Sequence, residues 1–176
     1  MSITNAQELY ERIRHLNELF DTDVSYRHDA VRRITRLYGW VIKRNNTEFL
    51  TILLNEKSWG GFYYIYPDEH FRNILQMGAK AGINTFKVIY TEYCSHNHRG
   101  NILTYKELVE SARDTSVIDF IKQLEKFADV YVPTKFNLLS RYALSSRETQ
   151  FSIIKEWEEL TEISVDYDIY FNDDSG

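Results

Sequence analysis

Apolar residues fall along this chain in blocks of two different periods. Leu9, Ile13, Leu16 and Phe20 recur at three- and four-residue intervals, the spacing that sets side chains on one face of an α-helix. Thr4 and Gln7 just before them read as a capping box. A helix is therefore predicted over about 5–20. Val31, Ile34 and Leu37 extend the helical period through 26–37, with arginines between them, although the later part of that block also fits a strand.

From Tyr38 the pattern turns strand-like. Trp40, Val41 and Ile42 run into Arg44-Asn45-Asn46-Thr47, and Phe49 to Leu54 forms a second apolar run. Asparagines tolerate left-handed backbone, so the two runs read as a β-hairpin. After a turn at Asn55 to Ser58, Trp59 to Tyr66 alternates with rings on both faces, as in a central strand covered on each side. Thr85 to Tyr93, rich in β-branched and aromatic residues, reads as another strand, and Val130 to Val132 as a short one. Ile163, Val165, Tyr167, Ile169 and Phe171 alternate in a last strand, with Asp166 and Asp168 on its other face.

Helices are predicted between these runs. Pro67-Asp68 opens one that carries Phe71, Ile74 and Leu75 and ends at Gly78 or Gly82. Thr104 to Glu107 is a second capping box, ahead of Leu108, Val109 and Ala112. Ser116 caps a helix with Ile118, Ile121, Leu124 and Ala128. Ser145 to Glu148 is a third box, before Ile153, Ile154, Trp157 and Leu160. The mixture predicts a single α+β domain over 1–176: an antiparallel sheet, an early meander plus later strands, packed with five or six helices. The acidic tail, 172–176, is expected to be flexible.

Composition narrows the class. At 176 residues the chain can bury a substantial core. Only 7 Gly and 2 Pro imply short loops, and 15% aromatic content implies dense packing. No apolar run reaches the ~20 residues of a membrane span. The polar start, Met1 to Gln7, lacks the order of a signal peptide. Cys94 is the single cysteine, so no internal disulfide can form. The expectation is a cytoplasmic protein with no membrane partner.

Charge adds an asymmetry to the net −5. Residues 114–176 hold 6 Lys/Arg against 13 Asp/Glu, a net of −7, while the two preceding thirds are each +1. Glu156, Glu158, Glu159 and Glu162 crowd a helix end, followed by Asp166, Asp168, Asp173 and Asp174. Carboxylates there oppose the helix macrodipole and repel one another, so local stability does not explain them. Arg27, Arg32, Arg33, Arg36 and Arg44 form a basic stretch near the other end.

The densest chemistry is Thr91 to Asn101. Glu92, Cys94, His96 and His98 recur every second residue. On a strand, neighbours in that series point one way about 6–7 Å apart, so Cys94 with His96, or His96 with His98, could share a zinc ion. The whole set would need a bend and a distant ligand, for which His70, His28 and His15 are candidates. The opposing expectation is a strand ending at a buried Cys94 and a solvated loop. No Walker A, dinucleotide fingerprint, nucleophile elbow, CxxC or HExxH is present.

Three functions follow. The first is macromolecular binding of a basic protein surface through Glu156, Glu158, Glu159, Glu162, Asp166, Asp168 and Tyr170, with Tyr167, Tyr170 or Trp157 as aromatic anchors. Inhibitors of nucleic-acid-handling proteins, such as immunity and phage anti-defence proteins, are the corresponding class. The second is a hydrolase, metal-dependent or acid–base, built on Glu92, Cys94, His96 and His98. The third is a nucleic-acid binder using Arg27, Arg32, Arg33, Arg36 and Arg44, which the overall negative charge opposes. The first needs no cofactor, and the second makes zinc the candidate.

Overall fold

The computed structural model describes residues 2–22, 27–56, 67–95, 102–127, 138 and 140–163. Among them are eight α-helices, a 3-10 turn and no strand. The helices are α1 (Ala6–Thr22), α2 (Arg27–Lys43), α3 (Thr47–Asn55), α4 (Pro67–Ala81), α5 (Ile83–Ser95), α6 (Tyr105–Ser111), α7 (Thr115–Leu124) and α8 (Arg147–Thr161), with the 3-10 turn at Glu125–Phe127 after α7. The fold is all-α. This corrects the α+β expectation and its antiparallel sheet.

The predicted hairpin fails in an informative way. Its turn exists: Asn45 has a left-handed φ of 50°. It joins two helices instead of two strands. Asn46 ends the turn by capping α3, its side chain accepting the Phe49 N–H at 3.0 Å. Leu37, Tyr38, Val41 and Ile42 are all fully buried, so the end of α2 has little polar face to mark a helical period. The predicted strand at Thr85 to Tyr93 is α5, which buries Thr85, Phe86, Ile89, Tyr90, Tyr93 and Cys94. That face spans about half the helix circumference. The strands predicted at 59–66 and 130–132, the last strand beyond Ile163 and the tail at 172–176 lie outside the described residues.

Where one face is polar the helical reading holds. Leu9, Ile13, Leu16 and Phe20 are buried along α1, and Phe71, Ile74 and Leu75 along α4. Thr104 caps α6 as the box predicts. The other two caps sit one residue later. Asn5 accepts the Glu8 N–H at 2.9 Å while the Glu8 carboxylate takes the Thr4 N–H at 2.8 Å. Ser146 caps α8 through the Thr149 N–H. Asp114, not Ser116, precedes α7.

The helix α4 is central, packing against α2, α5 and α6. Chain reversal from α4 into α5 occurs at Gly82, whose φ of 155° disfavours a side chain. At Gly78 an added Cβ would lie 2.6 Å from Ile89 Cδ1, so the two helices meet almost backbone to side chain. Tyr38 donates its hydroxyl to the Leu53 carbonyl at 3.0 Å and fastens α2 to the end of α3. The buried Thr85 hydroxyl donates to Asn45 Oδ1 at 2.8 Å, joining α5 to the α2–α3 turn. Arg72 of α4 donates to the Ile102 carbonyl and pairs with Glu107 of α6 at 2.8 Å.

An aromatic layer fills the space beside α5. Phe86 stacks on Tyr90 at 6.3 Å, and Phe120 of α7 meets both rings edge-on. Trp157 of α8 is fully buried against this layer, its indole N–H reaching the Tyr90 hydroxyl at 3.4 Å. Burial first, and the adjacent Cys94 second, hold the Tyr90 phenol well above its usual range. Burial, Cys94 and Asp68 do the same for Tyr93. Both phenols are neutral in the folded protein but ionise near pH ~10 once unfolded. Their contribution is thus intact below pH ~10 and declines above it. In an alkaline titration, Tyr90 and Tyr93 are expected to ionise only together with loss of helical circular dichroism, and Tyr90→Phe with Tyr93→Phe is expected to move that unfolding to higher pH relative to neutral-pH stability.

Candidate functional site

Recasting Thr85 to Ser95 as a helix removes the geometry behind the metal reading. Successive residues on an α-helix turn by 100°, so Glu92 and Cys94 point about 200° apart. Cys94 is 4% exposed and packed beside Tyr90 and Tyr93, whereas Glu92 is half-buried on another side. His96 and His98 lie outside the described residues. Among the distant candidates, His70 is buried edge-on to Tyr38 at 4.6 Å and to Phe71 at 5.6 Å, while His15 and His28 are exposed on α1 and α2. Among the described residues no three His, Cys, Asp or Glu side chains converge on a point that would suit a metal ion.

The acidic end is divided. Asp166, Asp168, Tyr167 and Tyr170 lie outside the described residues. Trp157, a proposed exposed anchor, is instead the buried pin of α8, because it shares a stripe with Ile154 and Thr161. On the outward side Glu148, Phe151, Lys155 and Glu159 fall within about 80° of arc, with Glu156 beside them. Phe151 is 38% exposed, and Leu144 in the preceding turn is fully exposed. Both were missed from sequence. A helical projection of Arg147–Thr161 would have found Phe151, since it falls off the buried stripe.

Glu162 terminates α8 with a left-handed φ of 62°, and its N–H bonds to the Glu158 carbonyl at 2.7 Å. This is a position usually given to glycine. Its carboxylate is 76% exposed and reaches Lys87 of α5 at 3.4 Å. Glu148, Glu156 and Glu159 make no ion pair among the described residues. These three carboxylates are therefore not consumed by arginines among the described residues.

The basic stretch becomes the outer side of α2. Asp29 pairs with Arg32 at 2.9 Å and with Arg33 at 3.0 Å. The hydrogen bond from Arg32 foremost, together with both positive charges, keeps the Asp29 carboxyl below its usual range. Arg44 lays its guanidinium 4.1 Å from the Trp40 ring centre and donates to the Trp40 carbonyl at 3.2 Å. Nothing is described for the Arg27 side chain. An open groove of about 620 Å³ runs beside α2, lined by His28, Asp29, Val31, Arg32, Thr35, Arg36 and, across it, Glu69 of α4. A second, of about 540 Å³, lies on α1 around Tyr10, Arg14 and Glu18.

The burial of Cys94 sets a direct check on thiol chemistry. Native protein is expected to react with an aromatic disulfide reagent at least tenfold more slowly than denaturant-unfolded protein, as for an inert structural thiol. Equal rates would return Cys94 to the list of nucleophiles. No family model, curated protein or solved structure matches the chain.

Proposed function

We propose that this chain acts by macromolecular binding, docking the outward face of α8 onto a basic protein surface. The observation that carries the reading is the placement of carboxylates against local stability. Glu156, Glu159 and Glu162 stand toward the negative end of the α8 dipole, and Glu162 sits in a backbone conformation that a non-glycine residue disfavours by roughly 1–2 kcal/mol. Exposed Phe151 and Leu144 lie within the same region and supply apolar contact. Phe151 has Glu148 on one side and Lys155 on the other, and over α8 as a whole acidic residues outnumber basic ones, a balance that suits a basic partner, with charge setting encounter rate and orientation.

An inhibitor of a nucleic-acid-handling protein is the finer form of this proposal, since such proteins present basic channels. Asp166, Asp168 and Tyr170 would extend the face if the chain following α8 lies alongside it. A membrane-embedded role has no support, because no helix among the described residues is long and apolar enough to cross a bilayer. The hydrolase alternative loses its main support with the strand at Thr85 to Tyr93.

Two expected outcomes follow. Glu162→Gly should raise stability by about 0.5–1 kcal/mol in urea unfolding, the relieved backbone strain exceeding a weak surface ion pair. Affinity capture from the native cell should yield a partner with a basic surface whose association weakens steeply with salt. Glu156→Lys with Glu159→Lys should weaken that association at least tenfold, and Phe151→Ala should accelerate dissociation. A partner whose binding ignores all three substitutions would overturn the reading.

A further inference from the structure

The arginine stretch acquires a shape in α2 that the acidic face of α8 does not use. At 100° per residue, Arg32, Arg36 and Lys43 fall within about 40° of arc, and Asp29, Trp40 and Arg33 complete an outward band of about 100°. Ala30, Ile34, Leu37 and Val41 are buried on the opposite side. The band from Arg32 to Lys43 is about 16 Å long, and Arg44 continues it past the helix end.

The carboxylates lining the groove beside Arg32 and Arg36 are Asp29 of α2 and Glu69 of α4. Asp29 engages Arg32 and Arg33 at the surface: their side chains are 66% and 52% exposed, and water screens pairs of this kind strongly. Each guanidinium carries more N–H donors than that one pairing uses. Arg36 and Lys43 have no carboxylate partner among the described residues. The band therefore keeps a clear positive excess.

Two features select the ligand class. Among the described residues the exposed large apolar side chains are Tyr10, Leu144 and Phe151, none of them on α2. A protein partner would find no exposed apolar anchor there. Trp40, the aromatic residue of the band, is half-buried beneath Arg44 and offers no platform for stacking a base. Cations without anchors or stacking rings fit phosphates, which guanidinium forks match in geometry. The net −5 does not forbid this. In packing order α2, α4, α5, α8, the acidic helix is two helices removed.

We propose that the outer face of α2 binds the phosphate backbone of a nucleic acid without reading its bases. The test is fluorescence anisotropy of the full chain with a labelled duplex of scrambled sequence, at about 50 and about 200 mM salt. With roughly three phosphates engaged, affinity is expected to fall about 40-fold between the two salt concentrations. Arg32→Glu, Arg36→Glu and Lys43→Glu together should weaken low-salt binding at least tenfold while circular dichroism stays unchanged, as all three sites are exposed. Glu156→Lys with Glu159→Lys should leave it within twofold, which separates this face from that of α8. No binding at the lower salt, wild-type binding by the triple variant, or equal affinity for polyglutamate would each overturn the proposal.

Discussion

The close approach of α4 and α5 is the constraint on which the remaining structure depends. Gly78 lets Ile89 press against the α4 backbone, and Gly82 turns the chain so that α5 returns along α4. Once that pair forms, each neighbouring helix has a defined seat. α2 and α6 close on α4, α3 and α7 close on α5, and α8 is pinned to α5 through Trp157. The buried apolar side chains join in one continuous cluster around this pair. The cross-links are short polar contacts at the margins: Thr85 to Asn45, Tyr38 to Leu53, Arg72 to Ile102. Each contributes about 1 kcal/mol, small beside the aromatic burial they orient.

That arrangement also decides what faces water. The helix α2 packs on α4 and α8 is pinned to α5, and each presents one polar band outward. The α2 band is basic, and on α8 acidic residues outnumber basic ones. Ion pairs among the described residues include Arg32 and Arg33 with Asp29, Arg72 with Glu107 and Lys87 with Glu162.

How much of this is legible in the sequence depends on how much of each helix is buried. The helices α1, α6 and α8 have a narrow buried stripe and a polar remainder that reveal their period, and α4 is marked by its Pro67-Asp68 start and glycine end; all four are predicted correctly. The end of α2 and the whole of α5 are covered over a much wider arc. With polar positions scarce, the 3.6-residue period vanishes, and β-branched and aromatic residues such as Thr85, Val88, Ile89 and Tyr90 then favour a strand reading on propensity alone. Turn chemistry is similarly ambiguous: Asn45 and Asn46 serve a helix–helix connection as well as they would a hairpin. The one-residue errors at the Thr4 and Ser145 boxes reflect neighbours, Asn5 and Ser146, with equal capping ability. Among site residues, the carboxylates of α8 and the arginines of α2 were legible as charge. The burial of Trp157 and the exposure of Phe151 were not, because they depend on which stripe of α8 meets α5.

Native-state hydrogen exchange tests the central role of the α4–α5 pair most directly. The amides between Ile74 and Tyr93, Gly82 and its immediate neighbours excepted, should exchange only through global unfolding, with a free energy equal to that from urea denaturation. Exchange of these amides through local opening, while those of α1 or α8 stay protected, would contradict it.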